Sequence, residues 1–127
     1  MRKAFIIIIL AATGLLTAGC GAVGLVKSGD VAKGKTLYMS KCASCHVLKD
    51  AGSTGVVGPN LDDSFGPDYC QGFSEQTVRD VVRGQIAYPE MPMPADLARG
   101  NDANDISMYV ASVAGKGYDC TTYAGAS

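Results

Sequence analysis

Five consecutive residues, Cys42-Ala43-Ser44-Cys45-His46, are the part of this sequence best suited to carry chemistry. The C-x-x-C-H pattern is the attachment sequence of a c-type haem. We expect the Cys42 and Cys45 thiols to bond to the porphyrin vinyl groups as thioethers and His46 to bind the iron. His46 is the only histidine in the 127 residues. The sixth iron position must therefore be open or filled by another residue type.

Two other uses of a C-x-x-C pair fit this sequence less well. A thioredoxin-like redox pair requires a βαβ setting, whereas the flanks of this pair are typical of helices. A zinc site would need two more ligands at regular spacing, and the sequence contains neither a second C-x-x-C nor a pair of histidines. The motif therefore predicts haem attachment.

Methionine sulfur is the best remaining soft ligand for the sixth iron position. The chain after the first residue contains Met39, Met91, Met93 and Met108. The first and last of these lie in predicted helices and are more simply explained as helix residues. The other two lie in the run Tyr88-Pro89-Glu90-Met91-Pro92-Met93-Pro94, whose prolines prevent the backbone from forming a helix. A five-coordinate iron is the alternative.

The N-terminus has the features of an export signal. Arg2 and Lys3 precede an unbroken run of apolar or small residues. The run then reaches Leu16-Thr17-Ala18-Gly19-Cys20, which resembles the lipobox of bacterial lipoproteins, in which Cys20 is acylated. The alternative is an uncleaved membrane helix, because the 23 residues from Ala4 to Val26 carry no charge. We favour the lipoprotein, because glycines interrupt the second half.

The remaining cysteines fit an exported, membrane-anchored protein on the periplasmic or extracytoplasmic side. We divide the chain into a signal peptide (1–19), a short tether (20–28) and one domain (29–127). Within the domain, Cys70 and Cys120 remain for a disulfide in an oxidising compartment. Two free thiols are the alternative, because the sequence does not give the Cα separation that a disulfide requires.

Three helical segments would position the motif. Helices are predicted at 30–43, 74–83 and 101–114 from capping residues and apolar periodicity, with Gly84 and Gly115 ending the second and third. Residues 51–73, rich in Gly, Pro, Asp and Ser, are predicted to be a long loop around something functional. No stretch alternates with a period of two, so the predicted fold class is all-α.

Residues from about 29 to 115 resemble a class I c-type cytochrome. The features that carry this resemblance are Gly34 and Tyr38, the C-x-x-C-H motif, Gly58-Pro59-Asn60-Leu61, Met93-Pro94, and Ile106 with Tyr109. The resemblance implies the cytochrome c fold, with three main helices and long loops around one covalently bound haem c. It also implies that the first and last helices cross at Gly34.

The same resemblance assigns roles around the haem. The Pro59 carbonyl would accept a hydrogen bond from His46 Nδ1, which fixes the ring and raises its basicity. Leu61 would pack against the haem. The family's methionine ligand precedes a proline shortly before the last helix, which favours Met93 as the sixth ligand and leaves Met91 as the alternative.

An iron with histidine and methionine ligands is coordinatively saturated and suits electron transfer. We therefore predict a one-electron carrier in a respiratory-type chain, not an enzyme. The alternatives are a haem enzyme or gas sensor with an open or displaceable sixth position, and a redox subunit of a larger membrane complex.

The length of the tether and the distribution of charge indicate which partners the protein could have. Ten residues from Cys20 to Gly29 reach about 30 Å, which favours a membrane-bound quinol-oxidising complex or terminal oxidase. We expect no nucleic-acid partner. The segment from Cys20 to Asp50 has five Lys and two Asp, a net charge of +3. Four of these lysines could steer the haem edge toward an acidic partner: Lys33, Lys35, Lys41 and Lys49.

Overall fold

The computed structural model of the protein describes residues 26–123. The predicted signal peptide and the predicted lipidation site, Cys20, lie outside these residues. The elements are α1 (Val31–Lys41), β1 (Val47–Leu48), β2 (Ser53–Thr54), α2 (Leu61–Cys70), α3 (Glu75–Ala87), α4 (Gly100–Val113) and a 3-10 turn (Cys120–Thr122). The two short strands form one antiparallel hairpin. Between residues 26 and 123, no helix has the length and hydropathy needed to cross a membrane.

Polar side chains cap the N-termini of three of the four α-helices. Asp30 accepts a hydrogen bond from the Lys33 amide at the start of α1, as its type and position predict. Ser74 does the same for the Thr77 amide at the start of α3. Asn60, which precedes α2, accepts from the Asp62 amide at 3.0 Å.

The prediction of a loop from 51 to 73 is wrong over its second half, because α2 occupies Leu61–Cys70. Gly66 and Pro67 lie inside this helix and lower its intrinsic propensity. Tertiary contacts outweigh that weakness. Phe65 is buried in the core, and Gly66 lies so close to the Tyr118 ring that a Cβ would collide with it.

The prediction that Gly84 ends the second helix is also wrong. Helix α3 continues through Gly84 to Ala87. A glycine in a helix interior costs only about 1 kcal/mol relative to alanine. The buried side chain of Ile86 lies one half-turn further along, so continuing the helix extends its apolar face. Helix α4 does stop before Gly115, which has a φ of +68°.

Helices α1 and α4 cross at Gly34. A Cβ at this position would overlap the backbone carbonyl of Asp105 and lie 2.9 Å from Tyr109 Cβ. The absent side chain therefore allows the two backbones to approach each other. The rings of Tyr38 and Tyr109 pack edge to face beside the crossing, with centroids 5.7 Å apart. This crossing places the end of α1, and so the C-x-x-C-H motif, against the centre of the core.

The segment after α4 returns to α2. The backbone of Gly115 packs against that of Gly66. The structure joins Cys70, the last residue of α2, to Cys120 by a disulfide, with Cα atoms 5.5 Å apart.

Candidate haem-binding site

A cavity of about 550 Å³ opens beside the end of α1. This volume lies in the range of small-molecule and cofactor sites. Its lining is mostly apolar and includes Tyr38, Leu61, Phe65, Val82, Ile86, Leu97, Ile106 and Val110. The chemically reactive residues of the lining are Cys42, Cys45, His46, Met91 and Met93. All of the residues that were predicted from the sequence to bind the haem or its iron therefore line one cavity.

The C-x-x-C-H motif forms a tight turn at the end of α1. Cys42 caps the helix, with its amide donating to the Tyr38 carbonyl at 2.8 Å. The amides of Cys45 and His46 both donate to the Cys42 carbonyl at 3.0 Å. Neither motif cysteine forms a disulfide. Burial raises the pKa of the Cys42 thiol, before it bonds to a haem, to about 11.

The imidazole of His46 has a fixed orientation. Its Nδ1 lies 2.9 Å from the Pro59 carbonyl, which can only accept, so Nδ1 carries the proton. In the neutral ring, this leaves Nε2 as the atom with a lone pair for a metal. Gly58 lies against the ring, where a Cβ would overlap it. Gly58 was predicted only as part of the family motif Gly58-Pro59-Asn60-Leu61, and this steric requirement was not predicted.

Two polar side chains, Ser53 and Asp62, hold the segment that follows the motif in place. The hydroxyl of Ser53, on β2, accepts from the Leu48 amide at 2.8 Å and lies 3.4 Å from the Tyr38 hydroxyl. The Asp62 carboxylate accepts from the Lys49 amide at 2.7 Å and from the Gly115 amide at 3.0 Å. It thereby joins the segment after the motif to the end of α4. No role was predicted for Ser53 or Asp62.

Met93 and Met91 both line the cavity, but they differ in how deeply their side chains are buried. Met93 is partly buried against the hydrophobic core, and its amide donates to the Glu90 carbonyl at 3.0 Å. Met91 is 89% exposed and lies at the cavity mouth. Leu61, expected to pack against the haem, is a wall residue. The difference in depth favours Met93 as the ligand; the assignment stays a prediction.

The residues around the cavity fit a covalently attached haem. Two thiols, an imidazole and a thioether sulfur converge on a space with apolar walls, which is the donor set of a c-type haem with histidine and methionine ligands. Among residues 26–123, no cluster of three or more His, Cys, Asp and Glu side chains could hold a metal ion by itself.

Comparison with known proteins identifies the family of the chain. The sequence profile of the family described as Cytochrome c matches residues 31–114. Cytochrome c of Kluyveromyces lactis is 33% identical over 101 residues, covering 66% of this chain and 91% of that protein. The crystal structure of the c-type cytochrome SorU from Sinorhizobium meliloti superimposes with a TM-score of 0.54 at 30% identity, covering 67% of this chain and 91% of that one. The all-α fold predicted from the sequence is confirmed.

A third relative is a subunit of a larger assembly. The Cbb3-type cytochrome c oxidase subunit CcoP of Rubrivivax gelatinosus is 29% identical over 85 residues, which are 67% of this chain. The chain spans only 26% of the length of that subunit. The match is therefore to one region of CcoP.

Proposed function

The chain belongs to the cytochrome c family and binds one haem c covalently, and we propose that it carries single electrons with His46 and Met93 as the axial ligands. The observation that carries this proposal is that one cavity is lined both by the C-x-x-C-H motif and by the partly buried Met93. The haem supplies a one-electron iron couple. Cys42 and Cys45 would hold it as thioethers.

The protein's own contribution is to keep the ligands fixed and water out. The Pro59 carbonyl fixes the His46 ring and leaves Nε2 to bind the iron. Ile106 and Val110, both buried on α4, form part of an apolar wall that excludes solvent from the iron ligands. Such a rigid, dry site changes little between oxidation states and suits outer-sphere electron transfer.

Optical spectroscopy of the purified holoprotein tests the ligation. Ferric iron bound to methionine sulfur gives a far-red charge-transfer band. We expect Met93→Ala to lose this band and Met91→Ala, its matched control, to keep it. The reverse pattern would move the assignment to Met91. Ready binding of CO by the unmodified ferrous protein would instead favour the haem enzyme or gas sensor.

We also propose that the domain is exported and tethered to the membrane. In this proposal residues 1–19 are removed, Cys20 is acylated, residues 20–28 link it to the domain at 29–127, and the Cys70–Cys120 disulfide persists in an oxidising compartment. Mass spectrometry of the mature N-terminus and of the alkylated, unreduced protein tests both parts. An intact, unmodified residue 1 would favour the membrane-helix alternative.

The proposed partners are redox proteins at the membrane, such as a quinol-oxidising complex or a terminal oxidase. The relative that is an oxidase subunit supports this class of partner, and equally supports a role as a redox subunit within such a complex. Copurification from solubilised membranes tests the second possibility, because a resident subunit would remain with the complex at high salt.

We propose that Lys41 and Lys49 carry the charge steering, because the other two lysines are paired with carboxylates. Lys33 is paired with Asp102 at 2.7 Å and with Asp105 at 3.0 Å, and Lys35 is paired with Asp50 at 2.8 Å. Lys41 lies at the cavity and Lys49 lies just after the motif. We expect Lys41→Gln to weaken the ionic-strength dependence of reduction by the partner. Lys35→Gln, the control, should leave that dependence nearly unchanged.

A further inference from the structure

Three hydrogen bonds join the segment that begins in the haem motif to the segment that leads into α2. In each of them the two partners are 13 residues apart along the chain. The bonds are Gly58 amide to Cys45 carbonyl at 2.8 Å, His46 Nδ1 to Pro59 carbonyl at 2.9 Å, and Lys49 amide to Asp62 Oδ2 at 2.7 Å. The bond that orients the His46 ring therefore lies between the other two.

The bond between His46 and Pro59 depends on how firmly residue 59 is held. The bond is exposed to solvent, so water competes with the imidazole for the Pro59 carbonyl. A hydrogen bond also weakens steeply when its donor and acceptor move out of line. The ring is therefore only as fixed as the backbone on either side of Pro59.

Gly58 holds the backbone before Pro59. Its amide donates to the Cys45 carbonyl, and its backbone lies beside the imidazole. A Cβ at this position would be 2.7 Å from Nδ1 and 2.8 Å from Nε2 of His46, so a side chain here would displace the ring. The motif itself therefore fixes this side of Pro59.

Asp62 holds the backbone after Pro59 through both of its carboxylate oxygens. Oδ2 accepts from the Lys49 amide, which is three residues after His46, and Oδ1 accepts from the Gly115 amide at 3.0 Å. Hydrogen bonds to a carboxylate are stronger than those between neutral groups. One side chain thus ties the first turn of α2 both to the segment after the motif and to the end of α4.

The rest of α2 is held in place by other contacts. Phe65 is buried in the core, and the backbone of Gly66 packs against that of Gly115. Loss of the Asp62 carboxylate should therefore loosen the first turn of α2 and residue 59 before it, while the later turns of the helix stay packed.

We propose that Asp62 is a positioning residue for the axial histidine. By holding the start of α2 against the segment after the motif, it keeps the Pro59 carbonyl in line with His46 Nδ1 and so fixes the orientation in which the imidazole meets the iron. The carboxylate acts through Pro59, three residues away. This inference deepens the proposed function and rests on His46 as an iron ligand.

Nuclear magnetic resonance of the holoprotein tests the proposal. His46 is the only histidine in the sequence, so labelling histidine with a nitrogen isotope gives the signals of a single imidazole. In the ferrous protein, the rate at which the Nδ1 proton exchanges with solvent reports its bond to Pro59. In the ferric protein, the shifts of the haem methyl groups report the orientation of the imidazole plane.

We expect Asp62→Asn to speed exchange of the Nδ1 proton about tenfold and to change the haem methyl shifts, because one of the two amides loses its acceptor and residue 59 is loosened. Asp62→Ala, which loses both acceptors, should have a larger effect. Asp68→Asn is the matched control, because it makes the same chemical change further along the same helix. It should leave both measurements unchanged.

The Val110 amide, buried in α4, separates positioning from general stability. Opening of the whole domain would accelerate its exchange together with that of the Nδ1 proton. A positioning role accelerates the Nδ1 proton more than the Val110 amide. Equal acceleration of the two protons with unchanged haem methyl shifts would show that Asp62 only stabilises the fold, and would overturn the proposal.

The same labelled protein separates failure of this proposal from failure of the ligation. The unpaired electron of ferric iron displaces the nitrogen signals of a bound imidazole far from their ordinary positions. Undisplaced signals in the unmodified protein would overturn His46 as a ligand, and the role of Asp62 with it. Displaced signals together with unchanged exchange and methyl shifts in both Asp62 variants would overturn only the role of Asp62.

Discussion

At the scale of single residues, Asp105 links α4 to the start of α1. Its carboxylate is buried in α4, accepts from the Asp30 amide at 2.8 Å and pairs with Lys33 at 3.0 Å. The Asp30 amide first, and then Lys33, lower the pKa of Asp105 below its ordinary value. The charged carboxylate therefore stabilises the folded state, and it links the start of α1 to α4.

We expect Asp105→Asn to destabilise the protein at pH 7 and to have a shrinking effect in acid. A carboxyl with a lowered folded-state pKa contributes stability above its unfolded pKa of about 4, and this contribution is lost as the pH falls through the folded-state value. Urea unfolding of the variant and the unmodified protein at pH 7 and pH 3 measures the difference. Glu90→Gln, which changes an exposed carboxylate outside the helices, is the control. A deficit of equal size at both pH values would show that the carboxylate acts through packing alone.

Which residues could be predicted from the sequence depends on whether their partners lie close along the chain or belong to a motif. His46 and Pro59 are 13 residues apart within recognisable motifs, and their hydrogen bond is found where the resemblance places it. Asp105 and Asp62 act on amides 75 and 53 residues away. No local pattern indicates these contacts, because only the folded chain brings the partners together.

At the scale of secondary-structure elements, the same reasoning explains the errors over α2 and α3. Residues 61–70 were predicted to be part of a loop from their composition, because Asp, Gly and Pro are common in turns. The helix forms because Asn60 caps it and Phe65 and Gly66 pack onto the core. Gly84 was assigned as a helix end, but helices tolerate an interior glycine when the apolar face continues.

Two glycine-to-alanine substitutions should have opposite effects on the free energy of unfolding of the protein. A Cβ at Gly34 would overlap the Asp105 carbonyl, and that backbone cannot move aside as a side chain can. We expect Gly34→Ala to cost about 3 kcal/mol. No atom lies within 4 Å of a Cβ at Gly84, so Gly84→Ala should gain up to about 1 kcal/mol through helix propensity. Denaturant unfolding measures both. Similar stability of the two variants would contradict the close crossing of α1 and α4.

At the scale of the whole molecule, the disulfide links the segment after α4 to the end of α2. Cys70 and Cys120 are 50 residues apart, and the bond joins the end of α2 to the turn that follows α4. It therefore closes a loop that contains α3, the segment from Tyr88 to Pro94 (the methionine loop) and α4. The haem cavity is built partly by residues inside this loop, such as Met93, and partly by residues before it, such as His46.

Replacing both disulfide cysteines should lower the stability of the protein without changing its iron ligands. We expect Cys70→Ser with Cys120→Ser to cost about 2–4 kcal/mol, because opening a loop of this length frees the unfolded chain. Gly66 and Gly115 still bring the two segments into backbone contact, and Asp62 still accepts from the Gly115 amide. The far-red band of the ferric protein should therefore remain in the absence of denaturant, while the urea midpoint falls. Loss of that band before unfolding would show that the disulfide itself holds the methionine loop over the haem.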